Sequence, residues 1–197
     1  MLAIVDVEAS SLVHGYPIEV GWAIEDGRVG AVLVCPHEEW SELRWDFNAE
    51  YLHGLTQELL VERGVSPAEA VARMNNELVG CKCLSDAPSH DWQWLAVALE
   101  YSDTEAFTFD LLRVPAETAL RFEAEHRDLR TAHVNATISE ASRRRNHTAA
   151  GDAATWGAVL QLLTMGGSVQ TADMHRVFDE WAAKAQSAMP WRAGEAR

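Results

Sequence analysis

Apolar and polar positions alternate along the first part of the chain in a pattern that predicts three strands. Asp6 and Glu8 interrupt the first apolar run near its end. Because successive side chains of a strand point to opposite faces, we expect these two carboxylates on one face of the sheet. Asp26 and Gly27 form a hairpin signal, so the second and third strands should be antiparallel. The predicted strands are LAIVDVE, YPIEVGWAIED and GRVGAVLVCP.

The remaining chain alternates between helical and strand patterns, which predicts the α/β class. Ser66 is a suitable N-cap for one helix, Pro67 suits its first position, and Gly80 lies beyond its end. The predicted elements are helices in LTQELLVERG and SPAEAVARMNNELVG, strand CKCLSD, helix DWQWLAVALEY, strand EAFTFDLL, a helical stretch from ETALRFEAEHRDL, and helices at about 148–163 and 172–188.

Length and composition indicate a single domain. The chain has 197 residues, of which 48% are hydrophobic and 23% charged, enough to bury one sizeable core. We expect this domain to span 1–189, with a flexible tail over 190–197. The first residues lack the pattern of a signal peptide, and no apolar run is long enough to cross a membrane, so a cytoplasmic location is predicted.

The charge narrows the range of functions. A formal net charge of −14 argues against a protein that coats nucleic acid through a basic surface. Part of this acidity fits a group of carboxylates that awaits divalent metal. The cysteines, Cys35, Cys81 and Cys83, lack the spacing of a zinc site and are expected to be reduced.

Three short segments carry candidate chemistry. Asp6 and Glu8 would repel each other unless they are solvated, share a proton or hold a cation, and a strand end in solvent is the simplest reading of the pair alone. His147 and Asp152 lie five positions apart, about 140° on a helix, so they converge only if His147 precedes the helix. In that arrangement a neutral imidazole could accept a proton from water while Asp152 holds a metal; otherwise they mark the start of a surface helix.

The third segment, LSDAPSHDWQWL, contains two aspartates that compete for one role. Asp91 falls where the fourth strand passes into a helix, and Asp86 lies five residues earlier. Either could instead be a turn or N-cap residue. Arg143–Arg145 could grip substrate phosphates or simply end a helix, and His53 is expected to stabilise a turn.

Taken together, these motifs resemble the DEDDh (DnaQ-like) 3′–5′ exonucleases of the ribonuclease H-like superfamily. The segment PIEVGWAI is similar to the family's second strand, and LHGLTQELL to its H-G-[IL]-T-x-E motif. The resemblance runs from about Leu2 to Leu163 and implies a mixed five-stranded sheet with helices on both faces.

The resemblance also implies roles for individual residues. The metal ligands would be Asp6, Glu8, Asp91 and Asp152. His147 would be the general base, and Glu8 would also be catalytic. The residues in contact with substrate would be Ser10, Leu12, Asp86 and Arg145. Two Mg²⁺ or Mn²⁺ ions roughly 4 Å apart would activate water and stabilise the leaving 3′ oxygen. The chain departs from the family's D-x-E-T-T-G-L motif by lacking its threonines and glycine, although Leu12 is kept, and His90 and Asp86 stand within a second motif that usually reads H-N-x-x-F-D.

The activity implied is hydrolysis of single-stranded DNA or RNA from its 3′ end, with release of nucleoside 5′-monophosphates. Alternatives are an oligoribonuclease-like enzyme that acts on short RNA, a proofreading subunit docked on a polymerase, and a non-catalytic interaction module. The complete set of acids and one histidine argues against the last, because a module that only binds has no need of them. Homo-oligomerisation and a polymerase partner stay open.

Overall fold

Five strands form one mixed sheet in the order β3-β2-β1-β4-β5. The computed structural model describes residues 1–42, 44–127, 129–165 and 170–192. Strands β1, β2 and β3 pair antiparallel, whereas β4 is parallel to both β1 and β5. The strands are β1 Leu2–Ala9, β2 Pro17–Ile24, β3 Val29–Leu33, β4 Lys82–Ser85 and β5 Asp110–Pro115. The predicted sheet is therefore confirmed, with β1 at its centre.

Eight α-helices within the described ranges connect and cover the sheet. They are α1 Phe47–His53, α2 Gln57–Arg63, α3 Pro67–Glu77, α4 Pro88–Glu100, α5 Ala116–His126, α6 Thr131–Arg144, α7 Ala149–Met165 and α8 Thr171–Ala188. Ser66 caps α3 as predicted, because its side chain accepts a hydrogen bond from the Glu69 amide at 3.2 Å. None of these helices combines the length and apolar character needed to cross a membrane.

The two faces of the sheet carry separate hydrophobic cores. Val5 and Val7 of β1 belong to the core that includes α3 and α4, whereas Ile4 belongs to the core built with α5, α7 and α8. Helices thus cover both faces, as predicted. Since Asp6 and Glu8 have the same parity as Ile4, they lie on the α7 face near the end of β1.

Several element boundaries differ from the sequence predictions. Strand β5 begins at Asp110 rather than in EAFTF, because Asn75 holds the preceding segment in an irregular turn through bonds to Ala106 and Thr108. Helix α4 begins at Pro88, so Asp91 lies in its first turn rather than before it. Helix α1 was not predicted, and its seven residues are too few to show a helical period.

The end of the chain also departs from expectation. Pro190–Arg192 forms a 3₁₀ turn that packs on the domain, where a flexible tail was predicted. The Trp191 ring contacts both hydrophobic cores. Residues 193–197 lie outside the described part of the chain.

Candidate active site

The predicted carboxylates and histidine meet at the C-terminal end of β1. Potential ligand atoms of Glu8, His147 and Asp152 lie within 4.8 Å of one another. The same limit holds for the second group of Asp6, Asp86 and Asp91. Segments far apart in the sequence therefore supply one acidic centre.

The sheet register explains why Asp86 joins this centre. Ile4 of β1 pairs with Leu84 of β4 in a parallel register. Continuing this register by two residues in both strands places Asp6 and Asp86 side by side at the same edge of the sheet. A parallel sheet collects the residues at the carboxyl ends of its strands, and the first turn of α4 adds Asp91 from above this edge.

Burial of the carboxylates changes their protonation. It raises the pKa of Asp6 well above its ordinary value, with further contributions from the charges of Asp91 and Glu8. Burial and Glu19 raise the pKa of Glu8 to about 8. Burial raises the pKa of Asp91 to about 7 against the opposing Ser85 hydrogen bond, and it also raises the pKa of Asp152. Without a cation, the centre holds protons at neutral pH.

Asp91 and Asp86 differ in their surroundings, although both adjoin Asp6. The Ser85 hydroxyl donates to Oδ2 of the buried Asp91 carboxylate. The Asp86 Oδ2 atom instead pairs with the Arg145 guanidinium at 2.7 Å. Asp91 is therefore held by a neutral donor, whereas Asp86 already has a cationic partner.

His147 lies in the loop before α7, as predicted, and has a left-handed backbone with φ 55°. This conformation is uncommon outside glycine. The flanking residues hold it: the backbone N–H of Asn146 donates to Asp152 Oδ1 at 3.0 Å, and the Thr148 hydroxyl donates to Asn146 Oδ1 at 2.7 Å. The exposed imidazole is thereby kept beside Asp152 and Glu8.

Two of the residues predicted to contact substrate have other partners in the structure. Ser10 is fully buried, and its hydroxyl donates to the Arg44 carbonyl at 2.7 Å and accepts from the Tyr16 amide at 3.0 Å. This correction assigns Ser10 to the support of the loop after β1. Arg145 lies across the acids, 2.7 Å from Asp86 and 3.6 Å from Asp152. Leu12, by contrast, is exposed in the turn that follows β1.

A clamp that joins the segment after α8 to the centre was not predicted from the sequence. Buried Glu19 of β2 lies opposite Glu8 in the β1–β2 pairing. Its carboxylate accepts hydrogen bonds from the Arg192 guanidinium at 3.0 and 3.1 Å and from the Trp191 indole at 2.8 Å. It also accepts the Ala149 amide at 2.9 Å, which fixes the first turn of α7.

Arg192 extends the clamp to the end of α1. Its Nη1 donates to the His53 carbonyl at 2.8 Å. His53 itself stabilises the following turn, as predicted, by accepting the Leu55 amide on Nδ1 at 3.1 Å. Burial, Arg192 and His147 lower the pKa of His53 to about 4, so this imidazole is neutral at physiological pH.

Replacing Arg192 by methionine should lower the free energy of unfolding by about 3 kcal/mol. The buried Glu19 carboxylate would then lose its charged partner, and breaking a buried ion pair from one side is costly. Urea unfolding measures the change. Arg176→Met, which removes an exposed pair with Glu180, is the matched control and should cost less than about 1 kcal/mol. Equal losses in the two variants would contradict a structural role for the clamp.

The donor atoms of the centre suit a hard divalent cation. Carboxylate oxygens make up the whole of one group and two of the three members of the other, and oxygen donors are the ligands that suit Mg²⁺ or Mn²⁺. Asp86 Oδ1 and Asp152 Oδ2 are buried without a hydrogen-bond partner among the described residues. Since buried polar atoms are normally satisfied, Asp152 Oδ2 fits the direct ligation of a cation, and Asp86 Oδ1 fits either a cation or a group of the substrate.

Comparison with known proteins identifies the fold. No protein-family model and no curated protein sequence matches the chain. Among solved structures, exonuclease I from Methylocaldum szegediense matches with a TM-score of 0.59 at 14% identity, over 90% of this chain and 42% of that one. E. coli exonuclease I in complex with a dA16 oligonucleotide also matches with a TM-score of 0.59 at 14% identity, over 90% of this chain and 42% of that one. A structure of SSB/exonuclease I with the inhibitor CFAM gives a TM-score of 0.55 at 14% identity, over 90% of this chain and 43% of that one.

These similarities establish a ribonuclease H-like fold for a chain with an acidic centre at its middle strand. The chain spans less than half the length of these exonuclease I structures. At this level of identity the similarity concerns the fold, so the chemistry of the centre must be argued from the residues themselves.

Proposed function

We propose that this chain is a metal-dependent 3′–5′ exonuclease of the DnaQ-like, DEDDh type. The convergence of Asp6, Glu8, Asp91 and Asp152 with His147 at one end of β1 is the observation that carries the proposal. Structural similarity to exonuclease I supports the same reaction class. The products would be nucleoside 5′-monophosphates.

In this reaction Asp6, Glu8, Asp91 and Asp152 would hold two divalent cations, Mg²⁺ or Mn²⁺. When bound, such cations promote the ionisation of attacking water and stabilise the charge on the leaving 3′ oxygen. Glu8 and Asp152 face His147, whereas Asp6 and Asp91 face Asp86. Glu8 and Asp152 would therefore lie on the side of the scissile phosphate from which water attacks. There His147 would accept the proton of the water molecule.

A cation on Asp152 Oδ2 would compete with Arg145, whose Nε atom lies 3.6 Å from that oxygen. Its guanidinium contacts Asp86 and Asp152, one acid from each group. The arginine can then turn toward the substrate phosphate, which agrees with its predicted role. Asp86 keeps a role beside the substrate or becomes a further ligand.

Single-stranded nucleic acid is the proposed substrate. The terminal nucleotide must leave a stack or duplex before its phosphate reaches carboxylates recessed at a sheet edge. One exonuclease I neighbour is in complex with a dA16 oligonucleotide and another is an ssDNA complex, so DNA is the first substrate to test. RNA, an oligoribonuclease-like preference for short strands, a polymerase partner and a cytoplasmic location stay predictions.

The direct test uses single-stranded DNA and RNA labelled at either end, with Mn²⁺ or with EDTA. A 3′–5′ exonuclease releases labelled mononucleotide at once from a 3′ label and gives a descending ladder from a 5′ label. Asp6→Asn, prepared in parallel, controls for contaminating nucleases. Mononucleotide release from the 5′ label first, or equal activity in the Asp6→Asn preparation, would reject the proposal.

The raised carboxyl pKa values predict how pH affects the metal-free protein. A group whose pKa is higher in the folded state stabilises that state at low pH, and this contribution is lost as pH rises through the folded value. Asp91, at about 7, and Glu8, at about 8, should therefore reduce the melting temperature between about pH 5 and about pH 9 in EDTA.

Millimolar Mn²⁺ should raise the melting temperature most at the alkaline end of this range. Bound cations neutralise the ionised carboxylates and stabilise the folded state by linkage. Asp91→Asn should weaken both the decline with pH and the response to metal. A melting temperature that is independent of pH in EDTA, or unchanged by metal at pH 8, would contradict this account of the centre.

A further inference from the structure

Large apolar residues are exposed on a surface near the end of β1. It is made of the turn after β1 and one side of α1. The side chains of Phe47 and Tyr51 are 78% and 84% exposed, which is exceptional for large aromatic residues. The other members of this surface are Leu12, Val13 and Leu52. Isolated exposed apolar residues are common, but five of them on two segments that backbone hydrogen bonds join indicate a contact site.

Backbone contacts fasten the beginning of α1 to the end of β1. The Asp46 amide donates to the Ser10 carbonyl at 2.8 Å, and the Arg44 amide donates to the His14 carbonyl at 2.9 Å. Ser10 follows Glu8 by two residues. The start of α1 is thus held beside the strand that supplies the first two carboxylates.

The other end of α1 is fastened to the same centre. The Arg192 guanidinium binds both the His53 carbonyl and the Glu19 carboxylate, and Glu19 lies opposite Glu8. A helix of seven residues is about 10 Å long, and its ends are tied to the catalytic strand and to the neighbouring β2, so the α1 backbone that carries the two aromatic residues runs beside the centre. Phe47 and Tyr51 are four positions apart and share one side of the helix.

We propose that Phe47 and Tyr51 form a stacking platform for unpaired bases of the strand whose 3′ end enters the acidic centre. This inference rests on the function proposed above. The acidic neighbours Asp46 and Glu50 do not favour phosphate contacts at this surface. With a net charge of −14, the protein must draw much of its affinity for a strand from base stacking, which tolerates any sequence and needs no cation.

The test compares Phe47→Ala and Tyr51→Ala with the wild type on a long single-stranded oligodeoxynucleotide and on a dinucleotide. Each substitution should raise KM for the long strand about tenfold, the usual effect of one lost stacking contact, and leave kcat unchanged. Neither should change KM for the dinucleotide, because it lacks the run of upstream bases that the platform would stack. Phe47→Tyr and Tyr51→Phe should retain the wild-type KM because they keep the rings.

Phe122→Ala is the matched control, because it removes a 61% exposed aromatic ring from α5. It should leave both KM values unchanged. An unchanged KM for the long strand in Phe47→Ala and Tyr51→Ala, with wild-type hydrolysis intact, would overturn the platform alone. Failure of the wild type to hydrolyse these substrates and their RNA counterparts would overturn the proposed function and the platform with it.

Size-exclusion chromatography of the same variants separates the platform from an interface between copies of the chain. The platform predicts one elution volume for the wild type and for the Phe47→Ala/Tyr51→Ala double variant. A wild-type oligomer that dissociates in the double variant would assign the surface to self-association and overturn the proposal.

Discussion

Asp91→Asn should abolish metal-dependent hydrolysis, whereas Asp86→Asn should leave most of it. Asp91 is buried, lies against Asp6, and has a neutral Ser85 hydroxyl as its hydrogen-bond donor. Its charge is therefore available to a cation. Asp86 is already neutralised by Arg145, so its loss removes less attraction for metal.

The expected effect of Asp91→Asn is a loss of at least about 10³ in initial rate, since a metal ion supplies several kcal/mol of transition-state stabilisation. Initial rates on labelled single-stranded DNA at saturating Mn²⁺ measure it. Circular dichroism and the melting temperature in EDTA confirm that both variants are folded. The opposite ranking would make Asp86 the ligand and Asp91 its neighbour, and equal losses would show that both aspartates hold the cation.

His147→Ala should lower turnover by about 10² to 10⁴, the usual contribution of a general base. The metal-induced rise in melting temperature should be nearly unchanged, because the carboxylates supply the charge that holds the cations. Asp152→Ala should lose both activity and the metal response. Single-turnover rates and thermal melts with and without Mn²⁺ distinguish the two variants.

His14→Ala is the matched control for His147→Ala. Both histidines are exposed and both have a left-handed backbone, with φ values of 57° and 55°. Any conformational cost of placing alanine there should therefore appear in both variants, whereas the loss of turnover should appear only at His147. Near wild-type turnover of His147→Ala would remove this residue from the mechanism.

Much of the fold follows from local patterns in the sequence. The alternation in β1, β2 and β3 and the helical spacing of α2, α3 and α7 each depend on residues close in the chain, and the structure confirms these elements. The turn at Asn75 shows where this reasoning fails. Its side chain holds residues 33 positions away, which displaced the predicted fifth strand.

The sequence by itself determined the α/β class, the pairing of Asp6 with Glu8 on one face, and the place of His147 in a loop before its helix. Only the tertiary structure decided that Asp86 joins Asp6 and Asp91, that Arg145 lies across the acids, and that Ser10 is buried. It alone revealed the hydrogen bond that the Trp191 indole donates to Glu19 across 172 positions of the chain. The periodicity of the sequence shows which face of a helix or strand a residue occupies. Contacts between distant residues depend instead on how separate helices and strands pack against one another, and packing across the whole domain sets that geometry.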